Sequence, residues 1–268
     1  MTLREYRPSD LDALTLLWCA VFGDSRELVK SFFSCLEGMG TCFVAEEDGS
    51  VVGMSSVITG CGLICPDGTE KSCAYIYALA VDENRRHEGI GSRLTAHCVQ
   101  KGRELGAEIV CTLPAEDELY SFYEKYMGTA HILRREKRTV NASPAVGLTP
   151  VSAETYLEKR ELLLFGKAHM RPALPLVKAQ SGLCACLGGG LFAFDGGICC
   201  GYSEDEALHI VELICRNEGD IENAAASFAF TLDFDRAFYY VPVSTGGEKY
   251  VALDSHIDEF TVWNFCLD

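Results

Sequence analysis

The sequence predicts an α/β chain of two domains, each built on a mixed sheet with helices packed against it. Three observations carry that expectation. Short apolar runs of strand length alternate with longer segments whose apolar residues recur at helical spacing. A glycine-punctuated loop, Arg86-His87-Glu88-Gly89-Ile90-Gly91-Ser92, joins an unbroken apolar run to a helical one, the layout of a parallel crossover unit. Between Val140 and Pro150 every period is interrupted, which divides the 268 residues into domains of 1–140 and 150–268.

In chain order, Leu3 to Tyr6 reads as an opening strand, and Pro8-Ser9-Asp10 turns the chain into a helix from Leu11 to Phe22. Asp24-Ser25 caps a second helix, Glu27 to Leu36. Strands follow at Thr41–Glu46 and Val51–Thr59 around the turn Glu47-Asp48-Gly49-Ser50, and Pro66-Asp67-Gly68-Thr69 marks a further hairpin. The run Ala74 to Val81 is a buried central strand, leading to a helix from Ser92 to Leu105, a strand from Glu108 to Leu113 and a helix from Glu116 to Tyr126. Beyond the break come a helix from Ala153 to Leu164, an irregular stretch, and strands at Gly190–Phe194, Gly197–Tyr202 and Ala207–Cys215. A helix from Ile221 to Phe230 and strands at Ala237–Val241 and Tyr250–Leu253 complete the chain.

Composition excludes several classes of function. The formal net charge of -16 repels a phosphate backbone, so no nucleic-acid partner is expected. No apolar run approaches the roughly 18–20 residues of a membrane span, and the first residues lack the layout of a signal peptide, so the expectation is a cytosolic chain without a membrane partner. Most of the 14 cysteines lie inside apolar runs and read as small buried hydrophobes. The clusters Cys184-Ala185-Cys186 and Cys199-Cys200 lack the ligand spacing of a zinc knuckle, so no metal is expected.

The chemistry is concentrated in Arg86 to Ser92. Gly89 and Gly91 let backbone amides turn toward an anion with no Cβ in the way, and the positive end of the helix that Ser92 opens faces the same spot. Such a loop can hold a pyrophosphate, and a turn that merely caps the helix fits the same residues.

Arg86-His87-Glu88-Gly89-Ile90-Gly91 resembles the Arg/Gln-x-x-Gly-x-Gly/Ala signature of the GNAT N-acetyltransferase family, and Tyr75 to Val81 is similar to the strand before that signature. The resemblance covers residues 1 to about 138 and implies a GNAT-like fold that binds acetyl-CoA as cosubstrate. It implies that Leu79, Ala80 and Val81 serve the pantetheine arm through their backbone, in a gap where the strand splays from its parallel neighbour. Arg86, His87, Glu88, Gly89, Ile90, Gly91 and Ser92 would hold the pyrophosphate. The helix Leu119 to Gly128 resembles the family's Phe-Tyr-Glu-Lys-x-Gly-Phe helix and implies Tyr123 as the acid that protonates the leaving thiolate. This helix departs from the pattern in having one more residue before Gly128 and no closing Phe.

The reaction so implied is acetyl transfer to the amine of a small acceptor. No Asp or Glu interrupts Ala74 to Val81, so no general base is assigned; Tyr75 and Tyr77, on one face of the strand, line the acceptor pocket or simply pack. Residues 150–268 resemble the degenerate second domain of tandem GNAT proteins, including the Eis-like aminoglycoside acetyltransferases, through Gly188-Gly189-Gly190-Leu191-Phe192 and the segment from Gly201-Tyr202 to Ile210-Val211-Glu212-Leu213. This half carries no second glycine loop. It is the more acidic half, with Glu204-Asp205-Glu206 its densest cluster, which suits a cationic acceptor as well as a solubilising surface. Two further readings stand beside the enzyme: an acyl-CoA-binding module without chemistry, and a nicotinamide-dependent oxidoreductase.

Overall fold

The computed structural model describes residues 1–258, 260–264 and 267. In chain order its first elements are β1 (Thr2–Glu5), α1 (Leu11–Phe22), α2 (Arg26–Leu36), β2 (Gly40–Glu47), β3 (Ser50–Ile64), β4 (Glu70–Val81), α3 (Ile90–Glu104), β5 (Ile109–Thr112) and α4 (Asp117–Met127). There follow β6 (His131–Asn141), β7 (Thr149–Pro150), α5 (Ala153–Leu163), β8 (His169–Pro172), α6 (Leu174–Cys186), β9 (Gly190–Phe194), β10 (Gly197–Glu204), β11 (Ala207–Cys215), α7 (Ile221–Thr231), β12 (Arg236–Val243) and β13 (Glu248–Leu253). The chain divides into two compact units, one of Met1–Leu63, Glu70–Ile132 and Tyr250–Ile257, the other of Ile64–Thr69, Leu133–Lys249 and Asp258–Asp268. The break expected at Val140–Pro150 therefore falls inside the second unit.

The first unit has the strand order β1-β2-β3-β4-β5-β13. The strands from β1 to β3 are antiparallel neighbours, β4 and β5 are parallel, and β13 runs antiparallel to β5 with Ala252 opposite Thr112 and Leu253 opposite Cys111. The strand that closes this sheet thus comes from the far end of the chain. It is fixed by the buried Tyr120 hydroxyl, which donates to the Tyr250 carbonyl at 2.7 Å, and by Asp254, whose carboxylate accepts from the Val110 amide at 3.0 Å.

Each face of β4 takes a different cover, because successive side chains on a strand point to opposite sides. Ala74 and Ile76 pack with Ile90, Leu94 and Cys98 of α3. On the other face Tyr75 and Tyr77 lie 5.5 Å apart, and Tyr77 meets Phe32 of α2 at 5.3 Å and Trp18 of α1 at 5.8 Å. Fully burying side chains of this size contributes about 1.5–3 kcal/mol each.

The second unit has the strand order β7-β9-β10-β11-β12-β6. Here too the middle strands are antiparallel neighbours, β11 and β12 are parallel, and the closing strand β6 is antiparallel to its neighbour. Phe228 and Ala225 of α7 pack with Leu208, Ile210, Ala237 and Tyr239. A buried polar group crosses from α5 to β11: Glu212 accepts from the Tyr156 hydroxyl at 2.9 Å and pairs with Arg160 at 3.0 Å. Both charges are fully enclosed, so each depends on the other for its solvation.

The elements differ from expectation in several places, the largest being the 11-residue β6 (His131–Asn141), where no element was expected, and the short β7 inside the expected break. The stretch read as irregular holds β8 and the 13-residue α6, in which Pro175, Gly182 and the buried Gln180 interrupt the apolar pattern, so no 3.6-residue period shows. Strand β3 is 15 residues long and runs well past Thr59. Helix α3 starts at Ile90 rather than Ser92, with Gly89 as its cap in the left-handed region at φ 79°. Helix α2 is capped by Ser25 alone, whose hydroxyl accepts from the Leu28 amide; the Asp24 carboxylate instead accepts from the Trp18 indole at 2.7 Å.

Candidate active site

The first unit's sheet opens at its centre. Parallel pairing of β4 with β5 runs from Cys73 opposite Ile109 to Ile76 opposite Thr112 and goes no further, although β4 continues to Val81. Two residues past the last pair, Ala78 takes the left-handed conformation at φ 52°, which costs a residue with a Cβ about 1–2 kcal/mol. Tyr77, Ala78 and Leu79 are accordingly half-buried, where an unbroken central strand was expected. Ala80 is buried, and the side chains of Leu79 and Val81 pack against the α3 face of the core.

The loop after β4 delivers a helix end to the same region. A short 3-10 turn, Glu83–Arg85, precedes Arg86, His87 and Glu88, all exposed, with His87 at φ 68°. Arg85 pairs with Glu88 at 2.7 Å and also with Glu47 of β2, which ties the loop to the sheet and holds the Glu88 carboxyl below its usual range. The buried Ile90 anchors the first turn of α3. The first intrahelical bond is from the Arg93 amide to the Gly89 carbonyl, so the amides of Ile90, Gly91 and Ser92 face outward from the helix end. A Cβ on Gly91 would meet nothing closer than Val81 at 3.6 Å, an ordinary contact. The fold itself does not require glycine there. Arg86 and Arg93 are exposed and carry no ion pair among the described residues.

Helix α4 brings two tyrosines to this region. The extra residue before Gly128 is absorbed as one more helical position, the half-turn ending on buried Met127, and Gly128 takes the left-handed cap at φ 77°. Tyr123 is 6% exposed; burial pushes its pKa up to about 12, opposed by a hydrogen bond with the Thr112 side chain. The Thr112 hydroxyl in turn donates to the Ile76 carbonyl at 2.9 Å, so Tyr123 reaches the point at which β4 and β5 part. Tyr126 lies at the surface against Ser92, whose hydroxyl, with the Lys125 ammonium, holds the phenol below its ordinary pKa. The structure therefore places Leu79 through Ser92 in the chain just past the last β4–β5 pair, and Tyr123 against Thr112 of that pair. Sequence reasoning passed over Ala78, Thr112 and Tyr126; only the helical spacing of Tyr123 and Tyr126 hinted at the last.

A split parallel pair, a glycine-lined helix end and a phenol at the fork occur together within one segment. Residues 11–129 match the family described as Acetyltransferase (GNAT) family. The match covers both helices before the meander, the glycine loop and α4. Solved GNAT structures share the fold over nearly the whole chain: a GCN5-related N-acetyltransferase from Kribbella flavida superposes with a TM-score of 0.66 at 15% identity, covering 94% of this chain and 70% of the other. Eis1 from Mycobacterium abscessus gives 0.63 at 14% identity, covering 95% and 74%. A tandem GNAT protein from the clavulanic acid biosynthesis pathway gives 0.61 at 12% identity, covering 96% and 99%. No curated protein matches the chain in sequence. Among the described residues no group of three or more metal-ligating side chains occurs, and no helix is long and apolar enough to cross a membrane.

Proposed function

We propose that the chain is an acetyl-CoA-dependent N-acetyltransferase acting on a small, cationic amine. The observation that carries this reading is the fork at Ile76–Thr112, with the outward amides of Ile90, Gly91 and Ser92 at one side and the Tyr123 phenol at its base. The residues fit the cosubstrate: on the side where β5 no longer pairs with β4, the backbone of Leu79, Ala80 and Val81 can bond an extended amide-bearing arm, and the helix end favours a pyrophosphate by about 0.3–2 kcal/mol through its dipole alone. Arg86 and Arg93 add charge, while His87, Glu88 and Gly89 shape the loop. Bound there, acetyl-CoA supplies an activated acyl group and a thiolate leaving group.

The protein's own work is to orient that arm, to expose the reacting carbon to an amine on the α1–α2 face, and to offer a proton from the Tyr123 hydroxyl. With its pKa near 12 the phenol is fully protonated at neutral pH, so it is always in the donating form. A net charge of -16 favours a cationic acceptor. We further infer that the second unit is a degenerate GNAT-like domain, since its strand order repeats that of the first but no glycine loop opens α7 and no helix follows β12 before β13.

Incubation with acetyl-CoA and a panel of amines tests this reading, with free thiol and acetylated amine measured together. Amine-dependent thiol release is expected. Tight acetyl-CoA binding without turnover on any amine would leave a binding module in its place.

A further inference from the structure

The loop before α3 carries a negative charge in a place that should work against an anionic ligand. Glu88 directly precedes Gly89, the cap of α3, and is the acidic residue closest along the chain to the cradle formed by the amides of Ile90, Gly91 and Ser92. A carboxylate within reach of a helix start gains its unpaired N–H groups and the positive end of its dipole. Glu88 does not take that place: no side chain caps α3, and no acidic residue lies in its first turn. Its Oε2 instead accepts from Arg85 Nε at 2.9 Å and from Arg85 Nη2 at 2.7 Å, two bonds from one guanidinium.

Arg85 is itself tied to the sheet. Its Nη2 also donates to Glu47 of β2; its amide donates to the Asp82 carbonyl at 2.9 Å, and the Asp82 amide to the Val52 carbonyl of β3 at 3.0 Å. The ion pair spans His87, left-handed at φ 68°, so the turn that aims Glu88 is closed by the pair it makes. We propose that Arg85 is a positioning residue that holds the Glu88 carboxylate off the start of α3 and keeps those amides available to the pyrophosphate of acetyl-CoA. Released from Arg85, Glu88 caps its own helix, and the apparent affinity falls with the fraction of molecules left open. The latch rests on the acetyl-CoA reading of this loop.

The test is isothermal titration of CoA into the full chain, comparing the parent protein with Arg85→Gln, Glu88→Gln and the double variant. Arg85→Gln is expected to weaken CoA binding about tenfold, the order set by one carboxylate at a helix start. Adding Glu88→Gln to that variant restores the loss, since no carboxylate is left to release, whereas Glu88→Gln in the parent protein gains less than about threefold. This non-additivity is the signature of the latch, because a plain sum of charges would give the same gain in both backgrounds. Parent-like affinity in Arg85→Gln, or equal gains from Glu88→Gln with and without Arg85, overturns it. So does an equal loss in Arg85→Gln and the double variant, because Arg85 would then act through its own charge or through the fold. Failure of the parent protein to bind CoA overturns the acetyl-CoA reading, and the latch with it.

Discussion

The two units carry the same crossover junction built to opposite effect. In the first, β4 passes through the 3-10 turn Glu83–Arg85 and then four more residues, with His87 and Gly89 both left-handed, before α3 begins. In the second, β11 passes through the turn Glu218–Asp220 directly into α7. No acidic side chain occupies the first turn of α3, whereas Glu218, Asp220 and Glu222 crowd the start of α7. Carboxylates there satisfy the helix dipole from within, and leave nothing for an external anion to neutralise. One topology thus yields a helix start without carboxylates or one crowded by them, according to a handful of residues between strand and helix.

The largest effect should come from breaking the first unit at its remote strand. Ala252→Pro places a residue without an N–H at a fully buried position of β13, opposite Thr112. A cost of about 3 kcal/mol or more is expected, with loss of cooperative melting in this unit and of CoA binding together. Retention of both would show that the fork is held without β13.

Next in size is a paired substitution at the two junctions. Gly91→Val should weaken CoA binding by about 10²-fold or more with the melting curve nearly unchanged, because Gly91 has an ordinary φ and room for a Cβ. Gly219→Val, at the corresponding turn of the second unit, also has room and should leave CoA binding as it was. Isothermal titration of both variants decides it; equal loss would mean that the junctions share the work, and no loss in either would remove the cradle. Tyr123→Phe is a smaller, kinetic test. Acetyl-CoA affinity should hold while kcat falls about 10²-fold, since the ring still fills its place and only the proton is gone.

These contrasts were partly legible in the sequence. Helix α1 and strand β9 have the bounds that their periodicity gave, and the glycine loop stood out because Gly89 and Gly91 break a run that otherwise reads straight from strand to helix. The start of α3 was not legible, since its cap is a left-handed glycine with no side chain to announce it. Helix α6 was hidden by Pro175, Gly182 and the buried Gln180, which break its apolar period, and by an N-cap, Ala173, that makes no side-chain bond. Nothing local marks β13 as the closing strand of the first unit, because that pairing joins Ala252 to Thr112 across all the elements from α4 to β12. The left-handed Ala78 and the Trp18 bond to Asp24 are likewise consequences of tertiary packing, which overrides what each short segment prefers by itself.

The smallest effect is a shift along the pH axis at Tyr123. Burial raises its pKa from the ordinary value of 10 to about 12, so the folded chain holds the phenolic proton more tightly than the unfolded chain does. The sign follows: this contribution to stability is complete below about pH 10 and is lost as pH rises toward 12. Melting temperature should therefore carry an alkaline component that Tyr123→Phe lacks, and the difference between the two proteins isolates it from other buried tyrosines such as Tyr156. In turnover the same shift predicts no loss of kcat from deprotonation of Tyr123 between neutral pH and about pH 10, where the acceptor amine meanwhile becomes more reactive as it sheds its proton. A fall in kcat with a midpoint near pH 10 that disappears in Tyr123→Phe would mean that the phenol meets water during the reaction, and that the fork opens further with substrate than it does in the free protein.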